Sequence, residues 1–344
     1  MTEFIDALRE AVHAENVKQN VLLKEHTTFK IGGPADYFVS PETAEAIADV
    51  VRICRDYDMP YFILGNGSNV LAADKGYRGV VINIMGRMNN IAVDGNIITA
   101  EAGASLIKVS QVARNNGLTG MEFASGIPGS LGGAVYMNAG AYGGEMKQII
   151  QSVSVIDETG KLSELSCEEM DFSYRHSLAE EKGLIVTGAV IELKKGDVSD
   201  IQAEMDSLLA KRREKQPLAY PSAGSTFKRP EGYFAGKLIM DAGLRGYKVG
   251  GAQVSEKHCG FVINTGEATA QDVVTLMDDV VEKVKREYSD WQKNFTESHS
   301  GEIRKYRFTT KMLKPTKYST RTVSFCPYCT PTSIPVPENA PELG

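Results

Sequence analysis

The stretch Glu122-Phe-Ala-Ser-Gly-Ile-Pro-Gly-Ser-Leu-Gly-Gly-Ala-Val-Tyr-Met-Asn-Ala-Gly-Ala-Tyr142 decides how this chain is read. Ala124, Ser125, Gly126, Gly129, Ser130, Gly132 and Gly133 leave its first half with too little side-chain bulk for a core. Glycine removes the Cβ and opens positive φ, so such a backbone can approach a flat or anionic ligand closely. Successive free N–H groups form a concave anion site, and a helix start just beyond adds partial positive charge. A flexible surface loop is the bland alternative. Phe123, Ile127, Pro128, Leu131, Val135 and Met137 would make a poor exposed linker, so a ligand with phosphates is the better reading.

Upstream lies a second cradle of the same kind. Tyr61-Phe-Ile-Leu64 reads as a buried strand that runs into Gly65-Asn-Gly-Ser-Asn69. Its glycine spacing is not that of a dinucleotide fingerprint, and no helical pattern follows directly. Short strands follow instead: Val80 to Ile82, then a hairpin of Ile91–Val93 and Ile97–Ala100 turning on Asp94-Gly95. Ser105 is placed to cap a helix that stops at Gly117. Val153–Ile156 and Leu162–Leu165 form another hairpin, Leu184–Leu193 a strand, and Lys194-Lys-Gly196 a turn. Helices are expected over the first ten residues, from Pro41 to about Tyr57, over 201–214, around Phe234–Ala242 and after about 270. His26 is a functional donor or, as for most lone histidines, a structural one.

A chain of 344 residues suits two or three domains. A net charge of −6 argues against general nucleic-acid or membrane-surface binding. The start of the chain, an amphipathic helix with acids, lacks the cationic and apolar regions of a signal peptide, and no apolar run approaches a membrane span. The irregularly spaced cysteines form no disulfide framework, and Cys326-Pro-Tyr-Cys329 lacks the second pair that a zinc site needs. The expectation is a cytoplasmic protein without metal.

Thr27-Thr-Phe-Lys-Ile-Gly-Gly33, Gly65–Asn69, Glu122–Tyr142, Tyr174-Arg175 and Gly224-Ser-Thr-Phe-Lys228 occur in that order. Together they closely resemble the UDP-N-acetylenolpyruvoylglucosamine reductases (UDP-N-acetylmuramate dehydrogenases, the MurB family) in their shorter, type II form. The resemblance covers roughly residues 15 to 290. It implies an α+β chain: a bipartite FAD-binding fold of the vanillyl-alcohol-oxidase (PCMH) type, plus a smaller α+β substrate-binding domain. Residues 1–196 would hold FAD, with a core at about 28–194 split near 80; residues 197–304 would bind substrate. Residues 305–344, unlike the family, read as an irregular, disordered tail.

The implied activity is NADPH-dependent reduction of UDP-N-acetylglucosamine enolpyruvate through FAD, in peptidoglycan precursor synthesis, by a monomer. Hydride addition to an enolpyruvyl ether develops negative charge at C2 and on the carboxylate. It therefore needs fixed donors at the carboxylate and a proton donor at C2. Resemblance assigns these to Arg175 and Ser225. Otherwise Arg175 reads as a surface ion pair and Ser225 as a turn serine. FAD falls to Gly65, Asn66, Gly67, Ser68, Asn69, Gly126, Pro128, Gly129, Gly132, Gly133 and Ala134. Among the cations Lys211, Arg212, Arg213, Lys215 and Lys228, those assigned to substrate are Arg213 and Lys228, with Tyr142 beside them; a solvated helix end is the alternative.

The family's third catalytic group is a glutamate in a segment like Leu-Glu-Pro-Glu-Val-Arg soon after the last long helix. Here the pattern is lost after about Tyr288, as a change of reading frame would produce, and Glu302 in Glu302-Ile-Arg304 is the candidate for the displaced counterpart, ahead of Glu297. Two further readings stand beside the reductase: an FAD-binding but catalytically impaired homologue, and a flavin oxidase. The oxidase is disfavoured because neither glycine-rich loop has a His or Cys for a covalent flavin link.

Overall fold

A computed structural model of the chain describes residues 2–230, 233–295 and 311–313. Helix α1 (Thr2–Val12) buries Phe4, Leu8 and Val12, spaced by four, against helix α2 (Ala44–Asp56). The Phe4 ring meets Tyr37 and Tyr57 edge-on at 5.1 and 5.2 Å. Strands β1 (Val17–Leu22), β2 (Pro34–Val39), β3 (Tyr61–Leu64) and β5 (Tyr77–Asn83), with β4 (Val70–Ala72) between the last two in sequence, build the first layer. The sheet order is β1-β2-β5-β3, with β2 and β3 parallel to β5 and β1 antiparallel at the edge. Helix α2 is the crossover from β2 to β3. Thr43 caps it by accepting from Ala46 N at 3.1 Å, and its inner face is Ile47, Val50, Val51 and Cys54. Loop 65–69 therefore leaves the carboxyl end of a parallel strand, where α/β sheets bind ligands.

The second layer is antiparallel. Strands β6 (Ile91–Asp94) and β7 (Ile97–Glu101) form the expected hairpin. After β8 (Leu118–Thr119) and the small pair β9 (Gly140–Ala141) and β10 (Gly144–Glu145) come β11 (Ile150–Ile156), β12 (Leu162–Ser166) and β13 (Ile185–Glu192). They assemble in the order β12-β11-β13-β7-β6. Helices α3 (Leu106–Asn115), α4 (Leu131–Tyr136) and α5 (Leu178–Lys182) join this layer. The two layers share one apolar cluster that runs from Phe4 to Leu193.

Two local expectations change. Ser105 occupies the cap position of α3, but its hydroxyl makes no cap hydrogen bond. Its backbone instead bridges to Ser130, with Leu106 N donating to Gly129 O and Leu131 N to Ala104 O, so the position is spent on holding the glycine-rich stretch. Lys194–Lys195, read as a turn, is strand β14, paired with β8; Gly196 follows it, donating to Gly117 O.

Helix α6 (Val198–Lys215) starts on Asp197, whose carboxylate accepts from Ser199 N and Asp200 N at 2.8 and 3.3 Å. It packs on α3, on β8 and on the 3-10 turn Glu122–Ala124. By its contacts α6 thus belongs with the first region, and the chain divides after 215, where the sequence reading divides it at 197. The remaining unit is the antiparallel sheet β15 (Ser222–Ser225), β18 (Phe261–Asn264), β17 (Ala252–Val254) and β16 (Lys248–Val249), in that order, with α7 (Ala235–Asp241) and α8 (Ala270–Phe295). Its core includes Phe29, Ile31 and Leu71 from the N-terminal half, beside Val273, Leu276, Val280 and Val284. Within 305–344, the segment read as irregular, the described residues Lys311–Leu313 are a strand parallel to β4.

Asp74 ties the two halves together. Its carboxylate accepts from Ala270 N at 2.7 Å and Gln271 N at 3.1 Å, capping α8 from across the chain. Asp74→Ala is expected to cost about 1–2 kcal/mol, at the upper end for a helix cap because the acceptor is charged. The urea midpoint reads this, and a shift within error would show that the cap contributes nothing.

Candidate active site

A cavity of about 1110 Å³ lies between the layers and the C-terminal sheet. Loop 65–69 and the segment 127–134 form one side of it. Residues 216–225 form another, and Tyr174, Arg175 and Leu184–Val186 close it. The two glycine-rich loops are tied by Asn66, whose Nδ2 donates to Pro128 O at 2.7 Å. The serine strand is tied to the first layer by Thr28, whose hydroxyl donates to Ser222 O at 2.7 Å.

Successive backbone amides of residues 66–69 donate to no group among the described residues. Gly67 makes that concavity possible. Its φ is +62°, and a Cβ there would lie 2.2 Å from His26 O. Such an array of free N–H groups suits phosphate oxygens. His26 also lines the cavity, its ring 4.4 Å from that of Phe38, and burial lowers its pKa.

Arg175 sits at φ +56°, and two of its guanidinium N–H groups donate to Gly140 O at 2.7 Å and Asn138 O at 3.3 Å. Buried Asn138 fixes this corner, donating to Ser173 O at 3.0 Å and Glu145 Oε2 at 3.1 Å while accepting from Lys147 N at 2.9 Å. The fork is held by neutral carbonyls rather than by an acid, so its charge stays available to an anion in the cavity. Ser225 stands at the end of β15, opposite Phe261, on the cavity wall.

Of the residues expected at FAD, Gly65, Asn66, Gly67, Ser68, Asn69, Pro128, Gly129, Gly132, Gly133 and Ala134 line the cavity. Gly126 does not; it lies against Arg212, where a Cβ would be 3.0 Å from Cδ. Arg213, Lys228 and Tyr142 are also absent from the lining. Arg213 is exposed, and its backbone carbonyl accepts from Lys257 Nζ at 2.7 Å. Tyr142 is 46% exposed. Glu302, Cys326 and Cys329 lie outside the described residues.

Of the basic run Lys211, Arg212, Arg213 and Lys215, the member that lines the cavity is Arg212. Burial lowers its pKa, the Tyr142 phenol opposes that shift, and among the described residues it has no acidic partner. A signal for it exists in the sequence. Ile201, Met205 and Leu208 are the buried positions of α6, and Arg212 continues that stripe while Arg213 leaves it. Gln216 also lines the cavity and is not among the expected site residues.

Two family patterns match the chain. The FAD binding domain covers residues 35–166, and the UDP-N-acetylenolpyruvoylglucosamine reductase C-terminal domain covers 216–291. The UDP-N-acetylenolpyruvoylglucosamine reductase of Clostridium novyi is 52% identical over 282 residues, 82% of this chain and 92% of its own length. The chain belongs to the UDP-N-acetylenolpyruvoylglucosamine reductase family. The family's member from Lachnoclostridium phytofermentans is 53% identical, over 83% of this chain and 93% of its own. The crystal structure of the Thermus caldophilus reductase superimposes with a TM-score of 0.71 at 34% identity, covering 87% of this chain and 99% of that one. This reductase-family chain is thus an oxidoreductase with an FAD-binding domain and an α+β two-domain fold. The C-terminal pattern begins at Gln216, the residue after α6, which agrees with the division drawn from the helix contacts.

Proposed function

We propose that this chain reduces UDP-N-acetylglucosamine enolpyruvate to UDP-N-acetylmuramate, a step in peptidoglycan precursor synthesis, with NADPH as reductant. The observation that carries the reading is that Arg175 and Ser225, far apart in sequence, line one cavity with the amides of loop 65–69. The cavity fits FAD. It is larger than the usual drug-sized pocket, one end offers free amides to a pyrophosphate, and Ile127, Leu184 and Tyr61 offer apolar wall to a ring system. FAD supplies the hydride chemistry when bound.

The rest is the work of this chain. Arg175 would hold the substrate carboxylate and stabilise the charge that develops on it as C3 gains hydride. Its two carbonyl contacts set the direction of the fork before substrate arrives. Ser225 would deliver its hydroxyl proton to C2. Arg212 would offer its charge to an anion or carbonyl oxygen of the bound molecules. In this reading Glu302 supplies the second acid, by resemblance alone.

We also read the chain as a cytoplasmic monomer. No helix among the described residues is long and apolar enough to cross a membrane. Anaerobic stopped-flow tests the function in two halves. NADPH is expected to bleach the flavin absorbance, and the enolpyruvyl substrate to restore it without oxygen. Bleaching without restoration would favour the catalytically impaired homologue, and a protein that takes up no FAD would overturn the reading.

A further inference from the structure

We propose that the side-chain carbonyl of Gln216 accepts the N3–H of the flavin's pyrimidine ring and so sets how deep and at what angle the ring lies in the cavity. The inference rests on the FAD reading above. Gln216 lines the cavity, and its Oε1 is buried without a hydrogen-bond donor among the described residues. Its backbone is already committed: the N–H donates to Arg212 O at 2.9 Å, and the carbonyl accepts from Leu218 N at 2.9 Å. A buried amide oxygen left unpaired is costly, and proteins keep few of them. The arrangement therefore calls for a donor from the molecule that occupies the cavity.

The neighbours say what kind of donor. Arg212, one turn earlier on α6, faces the same cavity and brings only N–H groups. A donor and an acceptor side by side match an imide edge, in which a carbonyl oxygen adjoins an N–H. Flavin and uracil both have such an edge. Two contacts favour the flavin. Helix α6, whose C-cap is Gln216, packs on α3, β8 and the Glu122–Ala124 turn, all in the FAD-binding half. Arg212 also lies against Gly126, next to the lining segment 127–134. Gln216, whose backbone N–H donates to Arg212 O, is thus fixed at the end of a helix that packs on the half expected to hold the cofactor.

The test uses apoprotein reconstituted with FAD or with 3-methyl-FAD, which has no N3–H, and reads affinity by quenching of flavin fluorescence. The variants are Gln216→Ala and the near-isosteric Gln216→Met. The unsubstituted protein is expected to prefer FAD over 3-methyl-FAD by about tenfold, the scale of one buried hydrogen bond. Both variants are expected to bind FAD about three- to tenfold more weakly and to lose the preference. Gln216→Met separates hydrogen bonding from bulk, because a steric objection to the methyl group would persist in it.

Equal losses for both flavins, or no loss, would overturn the proposal while leaving FAD binding intact. So would a Gln216-dependent preference for UDP over 3-methyl-UDP. An unsubstituted protein that binds neither flavin would overturn the underlying reading as well.

Discussion

Ser225→Ala is expected to leave reduction of the flavin by NADPH unchanged and to slow its reoxidation by the enolpyruvyl substrate by about 10²- to 10⁴-fold, the contribution of a positioned proton donor. The serine is well placed for a selective effect. It ends β15, a strand held by Phe261 of β18 and, through Ser222, by the Thr28 hydroxyl. Its side chain reaches a cavity whose other walls come from the FAD-binding half. Alanine removes the hydroxyl and leaves the strand pairing, which is backbone. Single-turnover traces separate the two halves directly. An unchanged reoxidation rate would remove Ser225 from the reaction.

The second large effect is on cofactor binding. Gly67→Val is expected to weaken FAD by about a hundredfold or more, since it displaces amides that meet phosphate charge, each worth about 1.5–3 kcal/mol. The physical cause is double. A valine at φ +62° is strained, and its Cβ would enter the space of His26 O, 2.2 Å away. Gly95→Ala provides the comparison. It has nearly the same φ, +61°, but sits in a hairpin with no atom within 4 Å of the new Cβ. That change should cost stability alone and leave FAD affinity unaltered. If Gly67→Val folds and binds FAD as tightly as the unsubstituted protein, loop 65–69 is not the phosphate cradle.

Much of the fold was legible because its signals are local. The strand Tyr61–Leu64, the hairpin on Asp94-Gly95 and the stripe of α8 each follow from a period and a turn residue close together in sequence. Among the strands that went unread, β15, β16 and β17 are short and carry little periodicity; Ser222–Ser225 is a strand beside β18, its partner from far along the chain. The break at 197 rests on a related local signal. Asp197 is a good helix cap and looks like the start of a new unit, yet nothing nearby in sequence says that α6 packs backward onto α3.

The sequence by itself determined the two glycine-rich loops and the family they resemble, and through that resemblance it singled out Arg175 and Ser225. Residue types that the chemistry requires carry that information wherever the chain places them. Only the tertiary structure decided which neighbour of a charged run faces the ligand. Arg212 and Arg213 carry the same chemistry, and although the apolar stripe of α6 points to Arg212, it is the packing of that helix that puts Arg212 on the cavity and Arg213 in solvent. Gln216 is the same case: an amide becomes informative once folding has buried its oxygen and left it without a donor.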